Sequence, residues 1–330
     1  MTAVGRSLFA ALFAALVLAS SPAIAQTTRL AVIVGLAGDP EHAELFQRWA
    51  ATLVDSAEKL GVPREQVIYL AEKPDADAKR TTGKSTKEAI AKAFGSLSSA
   101  SADDVVFVVL IGHGSFDGRV AKFNLPGPDM TADDFEALLK KVPSRHIVFV
   151  NTASASGPFI AALAGPGRTV VTATRTGAER FATLFGGFFV DAFAGTEADA
   201  DKNRRISVLE AFDYAKRQVA TAYEREGIML TEHPLISDNG DKEGAAAPTS
   251  DGAVGRVAAV LSLGSAEATD PLPADPKLRA LYTERRDIER RIEALKLLKE
   301  SMDPAKYASE LEKLATDLAL KTRQIREAEK

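Results

Sequence analysis

Val105-Val106-Phe107-Val108-Val109-Leu110-Ile111 runs straight into Gly112-His113-Gly114-Ser115. Seven apolar residues without a polar break read as a strand covered on both faces, and so as a central one. A second short apolar run, Ile147–Val150, leads into Asn151-Thr152-Ala153-Ser154-Ala155-Ser156-Gly157. In a parallel sheet both continuations emerge at the carboxyl edge, where open α/β sheets bind their ligands. Glycines on either side of His113 would let a substrate approach the backbone closely.

Reading outward, Leu30–Gly35, Val67–Leu70 and Thr169–Thr174 are further strands, and Val257–Leu263 is a candidate last one. Between them, Glu41–Leu60 has helical spacing (Leu45, Trp49, Leu53, Ala57, Leu60), closed by Gly61. Ser85-Thr86-Lys87-Glu88 reads as a capping box opening a helix to about Leu97. Thr131–Lys140 is another helix, and an aromatic-rich one carries Phe181, Phe185, Phe188, Phe189 and Phe193. Apolar strands alternating with helices predict an α/β fold, a mostly parallel central sheet with helices on both faces.

After Pro271, Pro273 and Pro276 the pattern changes. Leu278, Leu281, Ile288, Ile292, Leu295 and Met302 fall at three- and four-residue steps. Asp303-Pro304 interrupts, and Tyr307, Leu311, Leu314, Leu318 and Ile325 resume. This predicts a C-terminal α-helical hairpin with coiled-coil-like seams. It would either pack on its own domain or serve as an oligomer or partner contact.

The 330 residues are 46% hydrophobic and 26% charged, with 41 Lys and Arg against 45 Asp and Glu and a net charge of −4. That suits a globular chain with a sizeable core and offers no electrostatic handle for nucleic acid. There is no cysteine, which removes disulfides, thiolate metal sites and cysteine nucleophiles at once. Arg6, the apolar stretch Leu8–Leu18 and Ala23-Ile24-Ala25 before Gln26 read as a cleaved secretory signal. The expected organisation is a signal at 1–25, an α/β domain at 26–264, a Pro-rich linker at 265–276 and the hairpin at 277–330. The mature protein is expected in the periplasm or outside the cell, with no membrane span once the signal is removed.

The two strand ends resemble the caspase-like superfamily of cysteine peptidases, which includes metacaspases, legumains and gingipains. These carry His-Gly after one strand and Cys-x-Ser-Gly or similar after the next. Phe107–Gly118 looks like the first element and Ile147–Gly157 like the second. The order of elements from Leu30 to about Asp241 fits, as does Thr231-Glu232-His233-Pro234-Leu235-Ile236-Ser237-Asp238-Asn239-Gly240. The resemblance covers about two thirds of the chain and implies a catalytic histidine at His113 and an oxyanion-hole glycine at Gly114. Counting back from Ser156-Gly157, Ser154 stands where the family has its cysteine. Thr152 stands where many members cutting after basic residues have a pocket aspartate.

A hydroxyl is far less acidic than a thiol and needs a well-placed base. Two departures at one site therefore imply a pseudopeptidase that binds a protein or peptide partner, or acts as a scaffold, in the cell envelope. The alternatives are a serine-dependent hydrolase using Ser154 and His113, and an assembly protein acting through the hairpin.

A separate stretch, Asp199-x-Asp201-x-Asn203-x-Arg205-Ile206-Ser207-x-x-Glu210, matches positions 1, 3, 5, 9 and 12 of a calcium loop. Arg204 fills the position that normally takes glycine for the sharp turn. The same residues also read as a helix entry with Ser207 as cap and Glu210 three residues on. No other cofactor is expected. Gly83-Lys84-Ser85 resembles the end of a phosphate-binding loop, but Ala78 stands in place of its first glycine. His42, His146 and His233 have no metal-binding spacing.

Overall fold

The computed structural model describes residues 27–265, 272–299 and 302–329. The expected signal at 1–25 lies outside them, as do residues 266–271 of the expected linker. In chain order the strands are β1 (Thr28–Val34), β2 (Val67–Ala71), β3 (Gly83–Lys84), β4 (Val105–Ile111), β5 (Gly114–Phe116), β6 (Ala121–Phe123), β7 (Met130–Thr131), β8 (His146–Asn151), β9 (Arg168–Thr172) and β10 (Leu235–Ser237). Seven of them form the main sheet in the order β10-β9-β8-β4-β1-β2-β3, with β4 in the middle. All neighbours in it are parallel except β10, which runs antiparallel to β9. β5, β6 and β7 make a small antiparallel sheet that starts one residue after His113.

The helices are α1 (Pro40–Lys59), α2 (Lys87–Leu97), α3 (Ala132–Leu139), α4 (Phe159–Leu163), α5 (Phe185–Ala194), α6 (Val208–Glu226), α7 (Pro276–Leu297) and α8 (Pro304–Ala328). Side-chain alternation along β4 divides the interior in two. Val105, Phe107, Val109 and Ile111 join Phe46 and Leu53 of α1, Phe185 and Phe189 of α5 and Phe212 of α6. Val106, Val108 and Leu110 join Ile90 and Phe94 of α2, Phe135 of α3 and Phe159 of α4. Both faces are thus covered, which is why the strand is apolar at every position.

Local chemistry sets the helix ends, with some shifts from expectation. α2 is capped by Thr86, whose hydroxyl accepts from the Ala89 N–H, and not by Ser85. Ser85 is fully buried with its N–H on the Ala71 carbonyl, still held by the sheet edge. Thr131 with Asp134 and Ser207 with Glu210 form true capping boxes. Phe181 lies outside α5 and is 71% exposed.

Val257–Leu263 is not a strand. The Asp238 carboxylate accepts from the N–H groups of Gly255 and Ala258 at 2.9 Å each, which winds this stretch into turns. Ala258, Leu261 and Leu263 still reach the core, and Ser262 makes an isolated bridge to Ser207.

α7 and α8 form the expected antiparallel pair. Each starts with proline behind an aspartate cap, Asp275 and Asp303. Ile288, Leu295 and Leu314 are buried between them. The Tyr282 hydroxyl meets Glu329 at 2.6 Å, and Lys321 pairs with Glu284. The pair is tied to the α/β domain by Arg205–Glu293 at 2.8 Å and by Lys299 on the Asp251 carbonyl at 3.1 Å. Among the described residues, no helix is long and apolar enough to cross a membrane.

Candidate functional site

β4 and β8 are hydrogen-bonded neighbours, with Leu110 opposite Asn151. The segments that follow them therefore leave the same edge side by side, as the sequence implied. They meet at Gly114 and Ser154. The Gly114 N–H donates to Ser154 Oγ at 3.2 Å, and Ser154 Oγ donates to the Gly114 carbonyl at 3.1 Å. The approach requires glycine, because a Cβ at position 114 would lie 2.2 Å from the Ser154 carbonyl oxygen. Ser154 itself is 3% exposed.

His113 precedes this contact but turns elsewhere. Its ring lies 4.7 Å from the ring of His42 and 5.1 Å from that of Phe46, edge-on to both, against the first turns of α1. His42 Nδ1 in turn sits 2.7 Å from Asp39 Oδ2, and Asp39 also caps α1 by accepting from the His42 N–H. Asp39, His42 and His113 thus form a carboxylate–imidazole–imidazole string. Burial lowers the His113 pKa below the ordinary histidine value, helped by the neighbouring His42, while the Ala37 backbone and Asp39 act in the opposite direction. Among the described residues, no hydrogen bond joins His113 to Ser154.

Sequence reading passed over His42 because a histidine at a helix start carries no spacing signal. A usable clue was its place just beyond β1, the strand next to β4.

Thr152 is buried, and its hydroxyl donates to the Leu110 carbonyl at 2.8 Å. It also abuts Gly186 of α5, where a Cβ would come within 2.8 Å of Thr152 Oγ1. The following loop is fixed by its backbone. Ala155 takes a left-handed conformation (φ 55) and donates its N–H to the Glu179 carbonyl at 2.7 Å. Gly157 packs so tightly on Arg175 that a Cβ would meet its carbonyl at 2.2 Å.

Glu179 also accepts from the His233 N–H at 2.9 Å. The adjacent Glu232, 2% exposed, caps α5 by accepting from the N–H groups of Leu184 and Phe185 at 2.9 and 3.1 Å. Burial pushes the Glu232 carboxyl up to about 6, against these backbone bonds.

In the calcium-like loop, carboxylate oxygens of Asp199, Asp201 and Glu210 lie within 4.8 Å of one another. Arg204 does make the turn that its identity seemed to forbid: it sits at φ 66, with Lys202 at φ 59. The Arg204 N–H donates to Asp199 Oδ2 at 2.9 Å, which holds the left-handed conformation in place. Asn203 Oδ1 accepts from the Arg205 N–H at 2.7 Å. Glu210 accepts from the Ser207 hydroxyl and N–H, and also from the Ala200 N–H. The helix-entry reading holds, and its capping residues Ser207 and Glu210 are also two of the candidate oxygen ligands.

The parallel sheet, the two covered faces and the paired strand ends define a caspase-like α/β domain. Residues 76–235 match the Peptidase C13 family, a span that takes in His113, Thr152 and Ser154. The chain holds no cysteine, so this match fits a caspase-like fold without the cysteine nucleophile. No curated protein matches the chain.

Proposed function

We propose that this is an exported, non-catalytic caspase-like protein that acts by binding a protein or peptide partner in the cell envelope, in the periplasm or outside the cell. The observation that carries this reading is the double hydrogen bond between Ser154 and Gly114. A serine nucleophile must give its proton to a base, and the oxyanion donor must stay free for the substrate oxygen. Here the hydroxyl proton goes to a backbone carbonyl, and the Gly114 N–H is spent on the nucleophile's own oxygen. His113, held against His42 and Phe46, makes no bond to the hydroxyl. The signal-like residues 1–25 support export.

Fluorophosphonate labelling of the purified chain tests the catalytic part, together with peptides cleaved after Arg, Lys, Asp or Asn. No label and no turnover are expected. Stoichiometric labelling lost in both Ser154→Ala and His113→Ala would instead establish the serine hydrolase. Mass spectrometry of the protein from the producing cell tests export, with Gln26 expected as the first residue.

A further inference from the structure

The loop entering α6 and the helical hairpin enclose a cleft of about 520 Å³, within the usual range for small-molecule sites. It shares no residue with the region around Gly114 and Ser154. Its lining holds two acidic residues, and both are engaged: Glu293 by Arg205 at 2.8 Å, and Glu289 by Arg285 at 3.4 Å. Lys202, Arg286 and Lys296 also line the cleft, and the lining holds no third carboxylate. This concentration of cations sits on a chain whose net charge is −4.

Arg286 decides what the cleft is for. It is 7% exposed, and its Nη2 is buried with no hydrogen-bond partner. A guanidinium withdrawn from water without a counter-charge is costly, and proteins normally match it with a carboxylate. Here the side chain lines an open cleft, so the compensating anion can come from solution. Arginine's planar fork fits phosphate oxygens two at a time, whereas lysine supplies a point charge. The aromatic ring at this cleft, Tyr282, carries the Arg285 guanidinium 4.6 Å from its centroid, so one of its faces is already taken.

We propose that this cleft binds a small polyanion carrying two or more phosphate groups, with Arg286 as its central ligand and Lys202 and Lys296 as outer charges. The experiment is a calorimetric titration of the full chain with sodium tripolyphosphate, metal-free and at fixed ionic strength. Thermal melts run alongside it, with ATP and orthophosphate as comparison arms.

Tripolyphosphate is expected to bind below millimolar, at least tenfold more tightly than orthophosphate, and to raise the melting temperature. Arg286→Met should melt higher than wild type without anion, since a costly charge is gone, and should lose tenfold or more in affinity. The exposed Lys296→Gln should fold normally and weaken binding a few-fold. ATP binding no more tightly than tripolyphosphate fits a site that reads phosphate alone, while markedly tighter ATP would overturn that assignment. No heat beyond that of sodium chloride at equal ionic strength would overturn the site. So would a lower melting temperature for Arg286→Met, which would mean that the guanidinium is already satisfied within the fold. Equal binding by wild type and Lys296→Gln would also count against it.

Discussion

Ser154 and Gly114 hold each other through two hydrogen bonds, one in each direction, at 3.2 and 3.1 Å. Together they join the chain leaving β4 to the chain leaving β8 at a point where no side chain fits on residue 114. Ser154 here acts as a structural clasp. Ser154→Ala should therefore cost about 1 kcal/mol, the net worth of an ordinary hydrogen bond. Gly114→Ala drives a Cβ into the Ser154 carbonyl and should cost about 3 kcal/mol or more. Urea unfolding of the three proteins checks the order. Equal stability of both variants would remove the clasp.

His113 should titrate below the ordinary histidine value, because burial and His42 both disfavour its charged form. His42→Asn should raise the His113 pKa, and Asp39→Asn should lower it. NMR of the ring protons reads all three. The sign for stability follows from linkage: the unfolded chain binds this proton more readily, so His113 makes the fold more stable as pH rises toward about 6.5. A His113 that titrates above that value would contradict the packing.

Much of this was legible in advance, and the reason is physical. Unbroken apolar runs such as Val105–Ile111 can be satisfied only between two covered faces, so the sheet and its central strand follow from them. The approach of Gly114 to Ser154 follows from two adjacent parallel strands ending together. What the sequence hid depends on particular hydrogen-bond partners. β5, β6 and β7 are two or three residues long and exist only through mutual pairing. Val257–Leu263 has a strand's composition, but the Asp238 carboxylate winds it into turns. Arg204 adopts a glycine's conformation because the Asp199 carboxylate receives its N–H.

Glu232 makes a second pH dependence, of opposite sign. Its carboxyl is pushed up to about 6 in the fold, from an ordinary value of 4.5. Between these values the folded chain holds the proton that the unfolded chain has released, so this residue's contribution falls as pH rises through the window. The stability difference between wild type and Glu232→Gln should decline by about 2 kcal/mol from pH 4 to pH 7. Chemical denaturation of both proteins at several pH values measures it. A difference independent of pH would place the Glu232 pKa at its ordinary value.

The acidic loop is expected to bind calcium only at about millimolar, the weak end of the range for such loops. Asp199, Asp201 and Glu210 converge well, but Lys202, Arg204 and Arg205 bring three positive charges into the same loop. Two of these residues also hold left-handed backbone conformations that disfavour non-glycine side chains. Calorimetry on metal-free protein, with Asp199→Ala as control, gives the affinity. Micromolar binding lost in that variant would make calcium a structural cofactor.

Restoring the missing thiol should not restore a peptidase. In Ser154→Cys the sulfur would occupy a site 3% exposed, facing the Gly114 backbone, while His113 packs against α1. A thiol without a nearby base or cation keeps its high pKa and remains largely protonated at neutral pH. The position two residues earlier offers no easy remedy either. The Thr152 hydroxyl donates to the Leu110 carbonyl, so a carboxylate in Thr152→Asp would face an acceptor in a buried site, at a cost of several kcal/mol. We therefore expect Ser154→Cys to alkylate slowly with iodoacetamide at pH 7 and to cleave no peptide after Arg, Lys, Asp or Asn. We expect Thr152→Asp to melt well below wild type. Saturable cleavage by Ser154→Cys that disappears when His113→Ala is added would mean that this histidine can swing back to the strand ends. The clasp between Ser154 and Gly114 would then be all that silences the site.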